Sequence, residues 1–310
     1  MSVRLPNPLR KGSTIGLICP AGGFNDYTEV KRAFRYLTKM GYKVEIGNSV
    51  VNKKTVYQYL SGDDEARLFD LMGFWLDTSI DAILCLKGGY GSLRLLKKIN
   101  FEALKKVKKI ILGFSDITVL LLALYAKTNQ ITFHGPLIGA HFLKRNYIPS
   151  DKRSAKHMFN ILKDPAYKFS YNSKDDGVVL HPGKATGHLI GGNLTSICSM
   201  LGTDYLPDFK NSILFLEDCN EHKYTIDRML MQMNNAGLLK GVAGIVFGSF
   251  YNSGFTSKKQ VAKLLRDVVH DFNIPMIYYF PCGHGSQNYT LPIGRKVMLD
   301  ADKLTLKSVD

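Results

Sequence analysis

Apolar residues in the first half of the chain fall into short blocks separated by stretches of helical spacing. Residues 14–19 form a run of strand length that stops at Pro20, Ala21, Gly22 and Gly23. Val30, Ala33, Phe34 and Leu37 then recur at three- and four-residue intervals, one face of a helix, and Gly41 supplies its stop. Residues 42–46 read as a second strand. Asp63, Asp64 and Glu65 put negative charge where the dipole of a following helix favours it. Residues 80–86 and 109–114 are two more apolar runs of strand length, each followed by Gly or Ser and then by helical spacing. Repetition of strand and helix predicts a parallel sheet covered by helices on both faces.

The rhythm dissolves over residues 146–176 into Pro, Asp, Lys, Asn and Ser, with one short helix expected at 155–162. The second half mixes strand-like runs at 212–216, 242–248, 276–280 and 296–299 with helices near 224–236 and 258–270. Residues 297–308 alternate about Asp300, Ala301 and Asp302 like a hairpin. The expected organisation is α/β: a parallel-sheet domain over 1–146, a linker over 147–176, and a smaller α+β or barrel-like domain over 177–310.

Hydrophobic residues make up 45% of the 310 positions, enough for sizeable cores and against a disordered chain. Lys and Arg exceed Asp and Glu by 41 − 26 = 15, which favours anionic partners. The basic residues are dispersed, without the arm or zinc-finger pattern of a nucleic-acid binder. Five cysteines, Cys19, Cys85, Cys198, Cys219 and Cys282, are an odd number with no two close in sequence. Reduced thiols in a cytoplasm fit that better than a disulfide framework. The longest apolar stretch, 117–126, is too short to span a bilayer and reads as a buried helix. Arg4, Arg10 and Lys11 precede the run at 14–19, but Pro20 follows directly without a cleavage site, so a core strand is expected there.

The chemistry concentrates at strand ends. At Gly113-Phe114-Ser115-Asp116 a buried strand meets an apolar helix. A serine held at such a bend exposes its hydroxyl, and the amide that follows it belongs to a helix N-terminus, where it favours an oxyanion. The plainer alternative is a serine that caps the helix. The glycines of Lys87-Gly88-Gly89-Tyr90-Gly91 let backbone approach a ligand closely; their spacing matches neither phosphate-binding nor dinucleotide-binding loops. Of eight histidines, His284 stands out between Gly283 and Gly285, just after a predicted strand, with His134 as the rival base. A base wants a carboxylate to fix its tautomer. Glu217 at the end of another strand is the first candidate, and Asp218 and Glu221 compete.

Together these segments resemble the LD-carboxypeptidase family of serine peptidases, which includes the microcin-immunity hydrolases. The resemblance spans nearly the whole chain. It runs through Cys19-Pro20-Ala21-Gly22, the loop at 87–91, and Gly113-Phe114-Ser115-Asp116. Gly187-His188-Leu189-Ile190-Gly191-Gly192-Asn193-Leu194 with Gly202 and Thr203 comes next, then Leu216-Glu217-Asp218, residues 244–248, Gly283-His284-Gly285 and Leu291-Pro292-Ile293-Gly294. Departures are minor: Cys19 where alanine is common and Lys87 where arginine is common. The resemblance implies a Rossmann-like amino-terminal domain and a barrel-like carboxyl-terminal one. It also implies a triad of Ser115, Glu217 and His284, and an oxyanion hole from the Gly89 and Asp116 amides. Such enzymes need no cofactor or metal, and many are homodimers. Their usual substrate is an anionic peptide, the murein tetrapeptide, cut before its terminal D-alanine during cell-wall recycling in the cytoplasm, with neither nucleic acid nor membrane as partner. The same family also implies an alternative, cleavage of an aminoacyl-nucleotide antibiotic. A glutamine-amidotransferase-like enzyme would need cysteine where Ser115 stands.

Overall fold

The computed structural model describes residues 3–24, 26–51, 57–139, 142, 151–173 and 176–309. The expected boundary at 146–147 lies outside the described residues.

Five strands of the first half are parallel: β1 (Thr14–Ile18), β2 (Lys43–Ile46), β3 (Ala82–Cys85), β4 (Ile110–Gly113) and β5 (Thr132–His134). Eight strands form a second, mixed sheet: β6 (Ser170–Asn172), β7 (Val178–His181), β8 (Lys184–Asn193), β9 (Ser212–Cys219), β10 (Gly244–Tyr251), β11 (Met276–Tyr278), β13 (Lys296–Asp300) and β14 (Thr305–Ser308). The remaining strand, β12 (Leu291–Ile293), lies late in the chain yet pairs antiparallel with β5 and completes the first sheet. Sheet orders are β12-β5-β4-β3-β1-β2 and β6-β14-β13-β8-β9-β10-β11-β7.

Both β3 and β4 are buried along their whole length, which explains why they read as continuous apolar runs rather than alternating ones. In the second sheet β8, β9, β10 and β11 run parallel, while β13 and β14 form the expected hairpin. The helix Thr118–Thr128 buries every residue from Thr118 to Leu124 and touches β4 and β5 of the first sheet and β8 of the second. It is the apolar joint between the two sheets. Helices Lys152–Lys163, Lys223–Asn235 and Lys258–Val269 fall where spacing placed them. One detail differs: Phe34, assigned by spacing to a buried face, is 39% exposed, and only Val30, Ala33 and Leu37 of that helix are buried. No disulfide joins the five cysteines, all of them described. Among the described residues no helix is long and apolar enough to cross a membrane.

Candidate active site

Strand β4 delivers the chain to Phe114 in extended conformation, and Ser115 then turns to φ 63°. Left-handed backbone at a residue other than Gly costs about 1–3 kcal/mol, and such strain persists where packing over-determines it. Here the packing is explicit. A Cβ on Gly88 would meet Ser115 Cβ at 2.8 Å and its Oγ at 3.0 Å, so only a glycine lets the 87–91 loop lie against the serine. A single 3-10 turn, Ser115–Ile117, leads into the buried helix, which therefore begins at Thr118 rather than at Asp116.

The serine turn and the glycine loop are tied together. The Asp116 carboxylate accepts from the Ser92 amide at 2.8 Å, and the buried Arg67 donates to the carbonyls of Pro20 and Gly91. Asp64 holds that guanidinium from below at 2.5 Å. Neither the Gly89 nor the Asp116 amide is bonded to a protein acceptor among the described residues. Both residues line a cavity of about 820 Å³ that Ser115 and His284 also line.

Across that cavity His284 Nδ1 lies 2.7 Å from Glu217 Oε2, and the His284 amide donates to the same oxygen at 3.2 Å. A carboxylate only accepts, so Nδ1 carries a proton and Nε2 is the basic nitrogen of the neutral ring. Glu217 lies near the end of β9, beside Asn193 of β8 in register, and is fully buried. Burial alone raises a carboxyl pKa, yet the charge and hydrogen bond of His284 outweigh it and hold Glu217 below its usual value. Burial likewise works against the imidazolium, but the charge of Glu217, helped by its hydrogen bond and by the nearby Cys219 thiol, raises His284 above the ordinary histidine pKa. The two shifts agree in favouring an ion pair. Phe114 packs on the imidazole, ring centroids 4.7 Å apart.

The rival residues separate by position. His134 is fully buried, absent from the cavity wall, with Nε2 4.0 Å from Glu217 Oε1 and a pKa pushed down to about 4 by burial. Asp218, the neighbour of Glu217 on the strand, accepts from Asn193 Nδ2 and from the Thr195 amide and hydroxyl, at 2.8–3.0 Å. It braces the turn after β8, and burial together with the Glu217 charge raises its pKa to about 6. Glu221 reaches the cavity wall. Among the described lining residues Lys87 is the sole Lys or Arg, facing Asp116, Asp151, Asp218 and Glu221, so the excess positive charge is not gathered at this cavity. Asn193 escaped the sequence reading as a site residue. Its side chain also caps the helix Leu194–Ser199, and an Asn before an apolar run was the available signal.

A serine in a left-handed turn, unengaged amides and a histidine paired with a buried glutamate, on a mixed α/β scaffold, form an arrangement suited to acyl transfer. Family models describe the same two halves: the LD-carboxypeptidase N-terminal domain matches residues 15–135 and the LD-carboxypeptidase C-terminal domain matches 186–299. The chain belongs to the LD-carboxypeptidase family, whose members are serine-type enzymes. It is 35% identical over 305 residues to the probable murein peptide carboxypeptidase of Bacillus subtilis (strain 168), covering 97% of this chain and 92% of that one. It is 29% identical over 330 residues to the microcin C7 self-immunity protein MccF of Escherichia coli, covering 96% and 93%. The crystal structure of muramoyltetrapeptide carboxypeptidase from Oxalobacter formigenes superposes with TM-score 0.82 at 29% identity, covering 96% and 99%.

Proposed function

We propose that this protein is a serine carboxypeptidase that releases the terminal D-alanine of murein tetrapeptide. Ser115 Oγ attacks the scissile carbonyl while His284 Nε2 takes its proton, and Glu217 steadies the imidazolium. The Gly89 and Asp116 amides receive the oxyanion. As the tetrahedral intermediate collapses, His284 returns the proton to the departing amine of D-alanine. Water, deprotonated by the same histidine, then hydrolyses the acyl-serine and restores the hydroxyl. The observation that carries this assignment is the 2.7 Å contact between buried Glu217 and His284, which lines the same cavity as Ser115 in its left-handed turn. Murein peptide as substrate draws support from the named relatives in Bacillus subtilis and Oxalobacter formigenes.

Incubating the purified protein with murein tetrapeptide should release D-alanine, and Ser115→Ala should cut turnover by ~10⁴ or more while melting at the wild-type temperature. Turnover retained in that variant would remove the nucleophile assignment. The likeness to MccF favours a second substrate, an aminoacyl-nucleotide. An assay of both compounds with one preparation decides between them by the ratio of kcat/KM. With the substrate go a cytoplasmic setting, a homodimer, and domains divided at 146 and 177, save that residues 291–293 return to the first sheet. Sedimentation of the purified chain tests the dimer, and a single species at about 35 kDa would count against it.

A further inference from the structure

The proposed mechanism leaves one buried titratable group unused. His134 ends β5 with no solvent exposure, and neither of its ring nitrogens has a hydrogen-bond partner among the described residues. Glu217 Oε1 is also buried without a hydrogen bond of normal geometry; the Asn193 side chain helps keep the carboxylate charged, and Oε2 serves His284. Unpartnered polar groups inside a protein are rare because nothing replaces their lost hydration. These two face each other, Nε2 lying 4.0 Å from Oε1. The other ring contacts of His134 are aromatic, Phe215 edge-on at 5.0 Å and Phe114 at 5.9 Å between centroids. Phe114 is also the ring packed on His284.

We propose that His134 is a positioning residue, a neutral imidazole whose Nε2–H holds the second oxygen of Glu217 while charge develops on His284. The inference rests on the triad assigned above and extends it by one residue behind the carboxylate. Burial keeps His134 uncharged at neutral pH, with the neighbouring His284 acting in the same direction against the pull of Glu217. A neutral ring must carry one N–H, and Glu217 is the carboxylate it faces. At 4.0 Å the pair is not a hydrogen bond in the resting protein. A shift of about 1 Å closes it, and catalytic contacts that are long without substrate commonly tighten as the reaction proceeds. His134 does not line the cavity that Ser115 and His284 share, so the general-base role falls to His284.

The test compares His134→Gln, which keeps an N–H at similar reach, with His134→Phe, which fills the space without a donor. The readout is the rate at which a serine-directed fluorophosphonate labels Ser115, resolved into a maximal rate and a half-saturating concentration. This probe does not depend on the natural substrate. The Phe variant should lose about tenfold or more in maximal rate at an unchanged half-saturating concentration, and the Gln variant should keep most of the wild-type rate. In a Glu217→Gln background the Phe substitution should change the rate by less than about twofold, since the carboxylate it supports is gone. Wild-type labelling by the Phe variant, or the same loss in both backgrounds, would overturn the proposal. If His134→Phe fails to fold, His134→Asn, whose shorter amide falls short of Oε1, takes its place, and equal rates for Asn and Gln overturn it equally. A protein that labels as expected but releases no D-alanine loses its proposed substrate, with the role of His134 intact.

Discussion

The serine half and the histidine half of the site are built in different ways. The Ser115 turn is encoded locally: a buried strand, one left-handed residue, one 3-10 turn and a buried helix follow one another within about twenty residues. The His284 loop is encoded by a distant contact. Gly283 sits at φ 91°, and a Cβ there would come within 2.2 Å of Glu217 Oε2, so the loop closes on a residue sixty-seven positions away only because no side chain intervenes. The proposed nucleophile sits on a left-handed turn that packing holds in place, and the proposed base is oriented by a charged side-chain partner. Substitutions in the two halves should therefore fail differently.

After loss of the Ser115 hydroxyl itself, the largest effect should come from Glu217→Gln. An amide keeps the shape of the carboxylate but not its charge, and a loss in kcat of about 10³–10⁴ is expected from the wrong histidine tautomer. The pH dependence gives a sharper reading. A general base works unprotonated, and the Glu217 anion raises the His284 pKa, so the acid limb of kcat/KM should lie above the usual histidine range. Removing the anion lowers that pKa, and the limb should move to lower pH. A limb that stays in place would mean that Glu217 does not set the basicity of His284.

Gly283→Ala comes next. Adding a side chain at positive φ costs more than about 1 kcal/mol before the collision with Glu217 is counted. The melting temperature should fall by at least ~2 °C. Activity should fall further than that loss explains, because the loop must withdraw from the carboxylate. Wild-type kcat in a well-folded Ala variant would show the loop to be more pliable than its contacts suggest.

The smallest effect should come from the tether behind the serine turn. Asp116→Ala frees the Ser92 amide, and with it the spacing between the two candidate oxyanion donors, while leaving both amides in the chain. A loss of about 10–10² in kcat with little change in KM is expected, below the ~10²–10³ for removing a donor outright. Asp116→Asn, which retains an acceptor, should recover most of it. Equal losses in the Ala and Asn variants would assign the effect to charge rather than to the tether.

This contrast also explains what could be read from the sequence. The β-α repetition and the Ser115 bend were legible because each depends on neighbours in the chain. Glu217 and Asp218 were not separable by composition, yet adjacent strand residues point to opposite faces, and the pairing of β8 with β9 decides which of them meets His284. Strand β8 itself was missed as a strand, since Gly187, Gly191 and Gly192 interrupt its apolar pattern. His134 read as a plausible base because nothing in its own segment reveals that it is fully buried and absent from the cavity wall. The three-residue β12 was invisible for the same reason: its partner lies in the other half of the chain.

That last strand also ties the two halves of the chain together. Residues 291–293 follow the His284 loop in sequence, yet they pair with β5, whose last residue is His134. The sheet from which Ser115 emerges is therefore incomplete without residues from the far half of the sequence, and the two halves interlock rather than merely abut.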